Sequence, residues 1–204
     1  MWDEILAEPL PDDAELFSFT AALLRYGRTV ALANLERLDE AAAELEAFTA
    51  AKTAVPDSRR MFNNPAAEVL KVAAQMAHGE LRYKSGEVEA GLEHLRRAGD
   101  LSDHLLYDEP WGWMQPPRHA LAALLMEQEQ FDEAEQVYRA DLGLTDALSR
   151  PCQHPGNVWA LHGLHECLMR RGMDGDAAHM KQRLDIVAAR ADVEISFSCF
   201  CRVH

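Results

Sequence analysis

Apolar residues recur every three to four positions over most of the chain, which is the period of an amphipathic helix. Residues 14–34 (AELFSFTAALLRYGRTVALAN) carry this pattern. Residues 39–54 carry it too, with Leu38, Ala41, Ala42, Leu45 and Phe48 forming one stripe. Pro56, Asp57 and Ser58 break the periodicity. Asn64-Pro65 then predicts a helix start, with asparagine as cap and proline in the first turn. Further pairs are expected at 65–85 with 88–98, at 117–128 with 131–142, and at 157–171 with 174–191. Gly86 and Gly172 mark two of the corners. The tail, 192–204, contains Val193, Ile195, Phe197 and Phe200 and reads as extended. No alternating strand series and no low-complexity linker interrupts the pattern, so a single all-α domain over 1–204 is expected.

The pairs repeat. RYKSGEVEAGLEHL (82–95), LMEQEQFDEAEQVY (125–138) and LMRRGMDGDAAHMK (168–181) align with a small residue early in each second helix. These small residues are Gly91, Ala134 and Ala177, spaced by 43 both times. ERLDEAAAELEAF, around Ala41, has the same shape at a different spacing. In FDEAEQVYRADL an aromatic, an acidic pair and a small residue precede a second aromatic. In these segments the chain resembles the tetratricopeptide repeat family, and the resemblance spans roughly residues 14–190. It implies a right-handed helical-repeat solenoid of antiparallel helix pairs with a short extended C-terminal tail. The repeats would be 14–54, 65–98, 117–142 and 157–191, followed by the tail at 192–204. The family's period is about 34 residues, so the units here carry longer loops. Glu129 stands at the corner where the neighbouring units have glycine, and Lys181 stands where the middle unit has Tyr138. Residues 1–5 (MWDEI) read as the close of a preceding repeat.

Composition narrows the function classes. With 34 acidic and 20 basic residues the formal charge is −14, which argues against nucleic-acid and anionic-membrane partners. No apolar run is long enough to span a bilayer, and the first residues lack the basic and apolar regions of a secretory leader. Cys152, Cys167, Cys199 and Cys201 all fall in the last quarter and are expected to be reduced thiols in a cytoplasmic setting.

The resemblance implies that first helices line an inner surface. Its register places Met76, His119 and His162 at equivalent inward positions, with Glu80 and Glu166 beside them and Trp159 one turn earlier. Trp111 and Trp113, in a stiff proline-rich loop, would add an aromatic wall. The expected function is therefore binding of a partner peptide or small ligand in this groove. The inward positions lack the Lys and Arg that grip carboxylate-ending tails, so no preference for acidic peptides is expected.

The alternative is a copper or zinc protein, possibly a metal-dependent oxidoreductase, with His119, His162, Cys199 and Cys201 as ligands. Cys199 and Cys201 are two apart, which in an extended segment places both sulfurs on one side. Soft thiolates with imidazoles suit copper or zinc. Cys152, His154 and His165 are reserve ligands, while Cys167 falls on a core position. No phosphate-binding, nucleophile-elbow or zincin motif is present, and whether the chain catalyses a reaction is open.

Overall fold

The structure is a computed structural model and describes residues 2–202. It is all-helical apart from one two-stranded ribbon. The helices among the described residues are α1 (Trp2–Ala7), α2 (Ser18–Asn34), α3 (Leu38–Ala54), α4 (Ala66–Lys84), α5 (Val88–Asp103), α6 (Pro117–Glu127), α7 (Phe131–Asp141), α8 (Val158–Arg170) and α9 (Asp174–Ala188). β1 (Arg60–Met61) pairs antiparallel with β2 (Asn64–Pro65). No helix among the described residues is long and apolar enough to cross a membrane. The chain divides into two compact units, Met1–Met114 and Gln115–His204.

Four helix pairs, α2–α3, α4–α5, α6–α7 and α8–α9, turn on the same corner. Glu36, Gly86, Glu129 and Gly172 each adopt a left-handed conformation, with φ of 59°, 86°, 57° and 70°. At each corner the left-handed residue donates its N–H three residues back, and the next residue donates five back. The four pairs of bonds are Glu36 to Ala33 with Arg37 to Leu32, Gly86 to Tyr83 with Glu87 to Arg82, Glu129 to Met126 with Gln130 to Leu125, and Gly172 to Met169 with Met173 to Leu168. This is the Schellman closure, which satisfies the last carbonyls of the first helix. The second helix therefore starts at once and needs no side-chain cap. Ala41, Gly91, Ala134 and Ala177, each five residues beyond a corner, are all buried.

In the first unit, α2 packs on α3, α4 on α5, and α2 on α4. A Cβ on Gly79 would lie 2.7 Å from Leu95, and one on Gly91 would lie 2.8 Å from the Gly79 carbonyl oxygen. Only hydrogen fits where α4 and α5 cross. Phe48, Leu70, Met76, Leu92 and Leu95 fill the core. In the second unit, α6 packs on α7, α8 on α9, and α7 and α6 both meet α8. Leu124, Leu125, Met126, Leu161 and Leu164 are fully buried there, and the Tyr138 ring rests against Gly163.

The structure corrects several local expectations. α2 begins at Ser18 rather than 14, because Asp13 Oδ1 accepts the Leu16 N–H and closes a turn ahead of the helix. α5 runs to Asp103 rather than 98, with Ala98 and Gly99 still buried. Asn64 does not cap α4. Its side chain instead donates to the Leu106 carbonyl and to Asp108 Oδ2, and accepts the Leu106 N–H at 2.7 Å. The helix follows Pro65 without a side-chain cap, and Asn64 stitches the ribbon to the 104–114 loop. The tail is not simply extended, since Phe200–Arg202 forms a 3-10 turn. His204 lies outside the described residues.

Candidate functional site

The first unit contains a buried polar cluster. Glu80 on α4 is 2 % exposed, and its Oε2 accepts a hydrogen bond from Asn34 Nδ2 on α2 at 2.8 Å. The other Asn34 Nδ2 hydrogen goes to the Val30 carbonyl one turn back. Burial pushes the Glu80 carboxyl up to about 7, and the Asn34 bond only partly opposes that. Tyr26, two turns before Asn34 on α2, feels the Glu80 charge. Burial first, and that charge second, raise its phenol well above its ordinary value. The Tyr26 ring meets Trp113 edge-on at 5.3 Å and Phe48 at 6.5 Å. Tyr26 Oη, Asn34 Oδ1 and Trp113 Nε1 are buried and have no hydrogen-bond partner. Unpaired buried polar atoms are rare in folded proteins, because each costs about 1–3 kcal/mol.

The second unit holds a different buried acid. Asp141, the last residue of α7, is fully buried between two imidazoles. His119 Nε2–H on α6 donates to its Oδ2 at 2.9 Å, and His154 Nδ1–H donates to its Oδ1 at 2.8 Å. The carboxylate can only accept, so the ring nitrogen of each histidine that faces it carries the hydrogen. The His154 backbone N–H also donates to the Asp141 carbonyl, at 2.6 Å, tying the 150–157 loop to the helix end. Burial would raise the Asp141 pKa, but the two imidazole bonds overcome it and bring the carboxyl down to about 2.

The tail lies over this same unit. Ser198 Oγ hydrogen-bonds Tyr138 Oη. Phe200 packs on Trp159 with ring centroids 5.2 Å apart. The Arg202 guanidinium donates to both Glu166 oxygens, at 2.7 and 2.8 Å. The 3-10 turn also contacts α6. Cys199 and Cys201 are joined in a disulfide, which corrects the expectation that all four thiols are free. Both are buried. Asn157 caps α8 by accepting the Trp159 and Ala160 N–H groups, which sets the helix face that the tail meets.

The expected groove residues are thus divided between the units. Met76 is completely buried in the first, where it presents no surface to a ligand. Glu80 and Trp113 belong to the polar cluster, while Trp111 is 42 % exposed. In the second unit His119 serves Asp141, and Trp159 and Glu166 hold the tail. His162 is half-buried, its Nδ1 is buried without a partner, and burial, the largest influence, lowers its pKa. Among the reserve ligands, His154 has turned to Asp141, and His165 Nδ1 is 3.1 Å from the Ala177 carbonyl oxygen where α8 and α9 approach. Cys152 accepts from Ser149 Oγ at 3.3 Å. Cys167 is buried, donates to the Phe131 carbonyl, and burial raises its thiol to about 11. Among the described residues, no three His, Cys, Asp or Glu side chains are grouped so as to hold a metal ion.

The sequence expectations did not include Tyr26, Asn34 or Asp141. A signal existed for two of them. The register that selects Met76, His119 and His162, carried into the first pair through Ala41, lands on Tyr26. Asp141 occupies the position that Ala98 and Leu184 fill in the neighbouring units, where an acid is out of place in a core. No family model matches the chain, and neither a curated protein nor a solved structure matches it.

Proposed function

We propose that the chain is a tetratricopeptide-like repeat protein that binds a neutral peptide or another amide-bearing ligand at the Tyr26–Asn34–Glu80–Trp113 cluster. The observation that supports this reading is the set of three buried, unpartnered atoms on Tyr26, Asn34 and Trp113, linked to Glu80 through Asn34. Tyr26 Oη–H and Trp113 Nε1–H supply donors, and Asn34 Oδ1 supplies an acceptor. An amide carries one of each. Its carbonyl accepts from the tyrosine or indole and its N–H donates to the asparagine. A carboxylate-ending tail matches the cluster poorly, because Glu80 ionises near neutral pH and then repels a second carboxylate.

The test is an array of short capped peptides without charged side chains, probed with the whole protein, with a peptide ending in EEVD as the counter-probe. Capped neutral peptides should bind. Asn34→Leu combined with Tyr26→Phe should weaken that binding by about tenfold or more, the equivalent of one lost buried hydrogen bond. Failure of every capped peptide, indifference to the double substitution, or micromolar binding of the EEVD peptide overturns the proposal.

A further inference from the structure

The first unit carries an open cleft of about 420 Å³ between the start of α2 and the linker that leads into it. One wall is helical. Phe17, Thr20 and Leu24 are three and four residues apart, so they face the same way at the N-terminal end of α2. The other wall is the Pro9-Leu10-Pro11 stretch, which its two prolines keep out of a helix. This linker is fixed at both ends. The Arg28 guanidinium donates to the Glu8 carbonyl at 2.6 Å, and Asp13 Oδ1 accepts the Leu16 N–H at 2.8 Å. The fold therefore builds the cleft before any partner arrives, and its size falls in the range of roughly 300–1,000 Å³ typical of ligand pockets. Its walls are mostly apolar, and Phe17 is 47 % exposed. Two carboxylates edge it, Glu8 and Asp12, one at each end of the Pro-Leu-Pro stretch. Both are exposed, and neither is paired with a cation among the described residues, whereas Glu40, Glu44 and Glu68 of the same unit each hold an Arg or Lys. The cations that reach this segment, Arg28 and Arg59, donate to the Glu8 and Leu16 carbonyls instead. The charge around the cleft has one sign. Residues 2–24 contain six acids, Asp3, Glu4, Glu8, Asp12, Asp13 and Glu15, and no Lys or Arg.

We infer that this cleft binds a short basic peptide segment, whose bulky apolar side chain enters between Leu10 and Phe17 while flanking Lys or Arg side chains meet Glu8 and Asp12. Apolar walls with a carboxylate at each of two separated edges match a chain that carries an apolar anchor between two cations. A single small ammonium would meet one edge and leave the other bare. The apolar contact supplies most of the affinity, because exposed ion pairs contribute little. The charges supply orientation and sign, since complementary potentials steer the right partner in and turn like-charged ones away. An acidic or neutral segment finds no cation here to replace the water it loses. The cleft shares no residue with the Tyr26–Asn34–Glu80–Trp113 cluster, so the inference stands whether or not that cluster binds a neutral peptide.

The experiment is a calorimetric titration of the whole protein with a capped peptide of sequence GKLFKG, with GELFEG and GKSSKG as counter-probes. GKLFKG should bind saturably at one site per chain, and more weakly in about 1 M salt, where the Debye length is about 3 Å. GELFEG should not bind. GKSSKG should bind about tenfold more weakly or not at all, having lost its apolar anchor. Glu8→Gln with Asp12→Asn should weaken GKLFKG binding by about threefold to tenfold, the scale of two exposed ion pairs. Thr20→Arg, which sets a cation in the cleft, should weaken it by at least as much. All three positions are exposed, so circular dichroism of both variants should match the parent. Tyr26→Phe, in the other cluster, should leave GKLFKG binding unchanged. Absence of saturable GKLFKG binding overturns the inference. So does equal binding of either counter-probe, indifference to both cleft variants, or loss of binding in Tyr26→Phe, which would assign the peptide to the other cluster.

Discussion

Glu80 is the most deeply buried acid of the first unit and Asp141 of the second, and the two are driven in opposite directions. Burial raises the Glu80 carboxyl, and neither its one amide hydrogen bond from Asn34 nor the Lys84 charge offsets that, so it rises to about 7. Asp141 is buried as deeply, yet it receives an N–H from each of two imidazoles and falls to about 2. Burial alone does not set an ionisation state. The number of donors aimed at the charge decides it. A satisfied acid such as Asp141 serves the fold, because its partners are already in place. An acid such as Glu80, whose burial is not offset by its partners, costs stability when it ionises.

The contrast is broken most severely at Asp141. Asp141→Asn removes the charge that both imidazoles face, and loss of one partner from a buried pair costs about 3 kcal/mol or more. For a chain of this length that corresponds to a Tm lower by roughly 10 °C, read by thermal unfolding at pH 7. The parent should also lose stability in acid. The Asp141 pKa is lower folded than unfolded, so its contribution is complete above the ordinary aspartate value of 3.8 and disappears as pH falls towards 2. Glu80 gives the opposite slope. Its folded pKa lies above the unfolded value of 4.5, so the folded state binds the proton more tightly. Stability should fall by about 3 kcal/mol as pH rises from 4.5 to 7 and then level off. Urea midpoints measured across that range should show the slope in the parent and lose it in Glu80→Gln. A parent curve flat from pH 4.5 to 7 would remove the distinction between the two acids.

The smallest effect concerns the corners. Glu36 and Glu129 hold a left-handed conformation that disfavours a side chain, while Gly86 and Gly172 hold it without that penalty. Glu129→Gly should therefore stabilise the protein by about 0.5–1 kcal/mol, seen as a higher urea midpoint with an unchanged slope.

The helices were legible because their period is local. Each stripe needs only the next few residues, and Gly86 and Gly172 announce their turns. Even the Glu129 corner was visible from its alignment with them. What escaped depends on partners far along the chain. Asn64 looks like a cap from its neighbours, but its side chain bonds Leu106 and Asp108, more than forty residues away. His119 and His162 share one register position, yet Asp141 satisfies the first while Nδ1 of the second is buried without a partner. A register locates a side chain on a face and does not specify what arrives opposite it. The cysteine pair shows the same limit, since its spacing suggested chelation while its oxidation state depends on the surroundings.

The tail also changes how the second unit meets any other molecule. Residues 189–197 connect α9 to the segment that covers Trp159 and Glu166, so that segment competes as an intramolecular ligand. A tether this short confers an effective concentration on the order of millimolar. Any outside partner for that helix face must outcompete a resident copy that never diffuses away, and its apparent affinity falls in proportion.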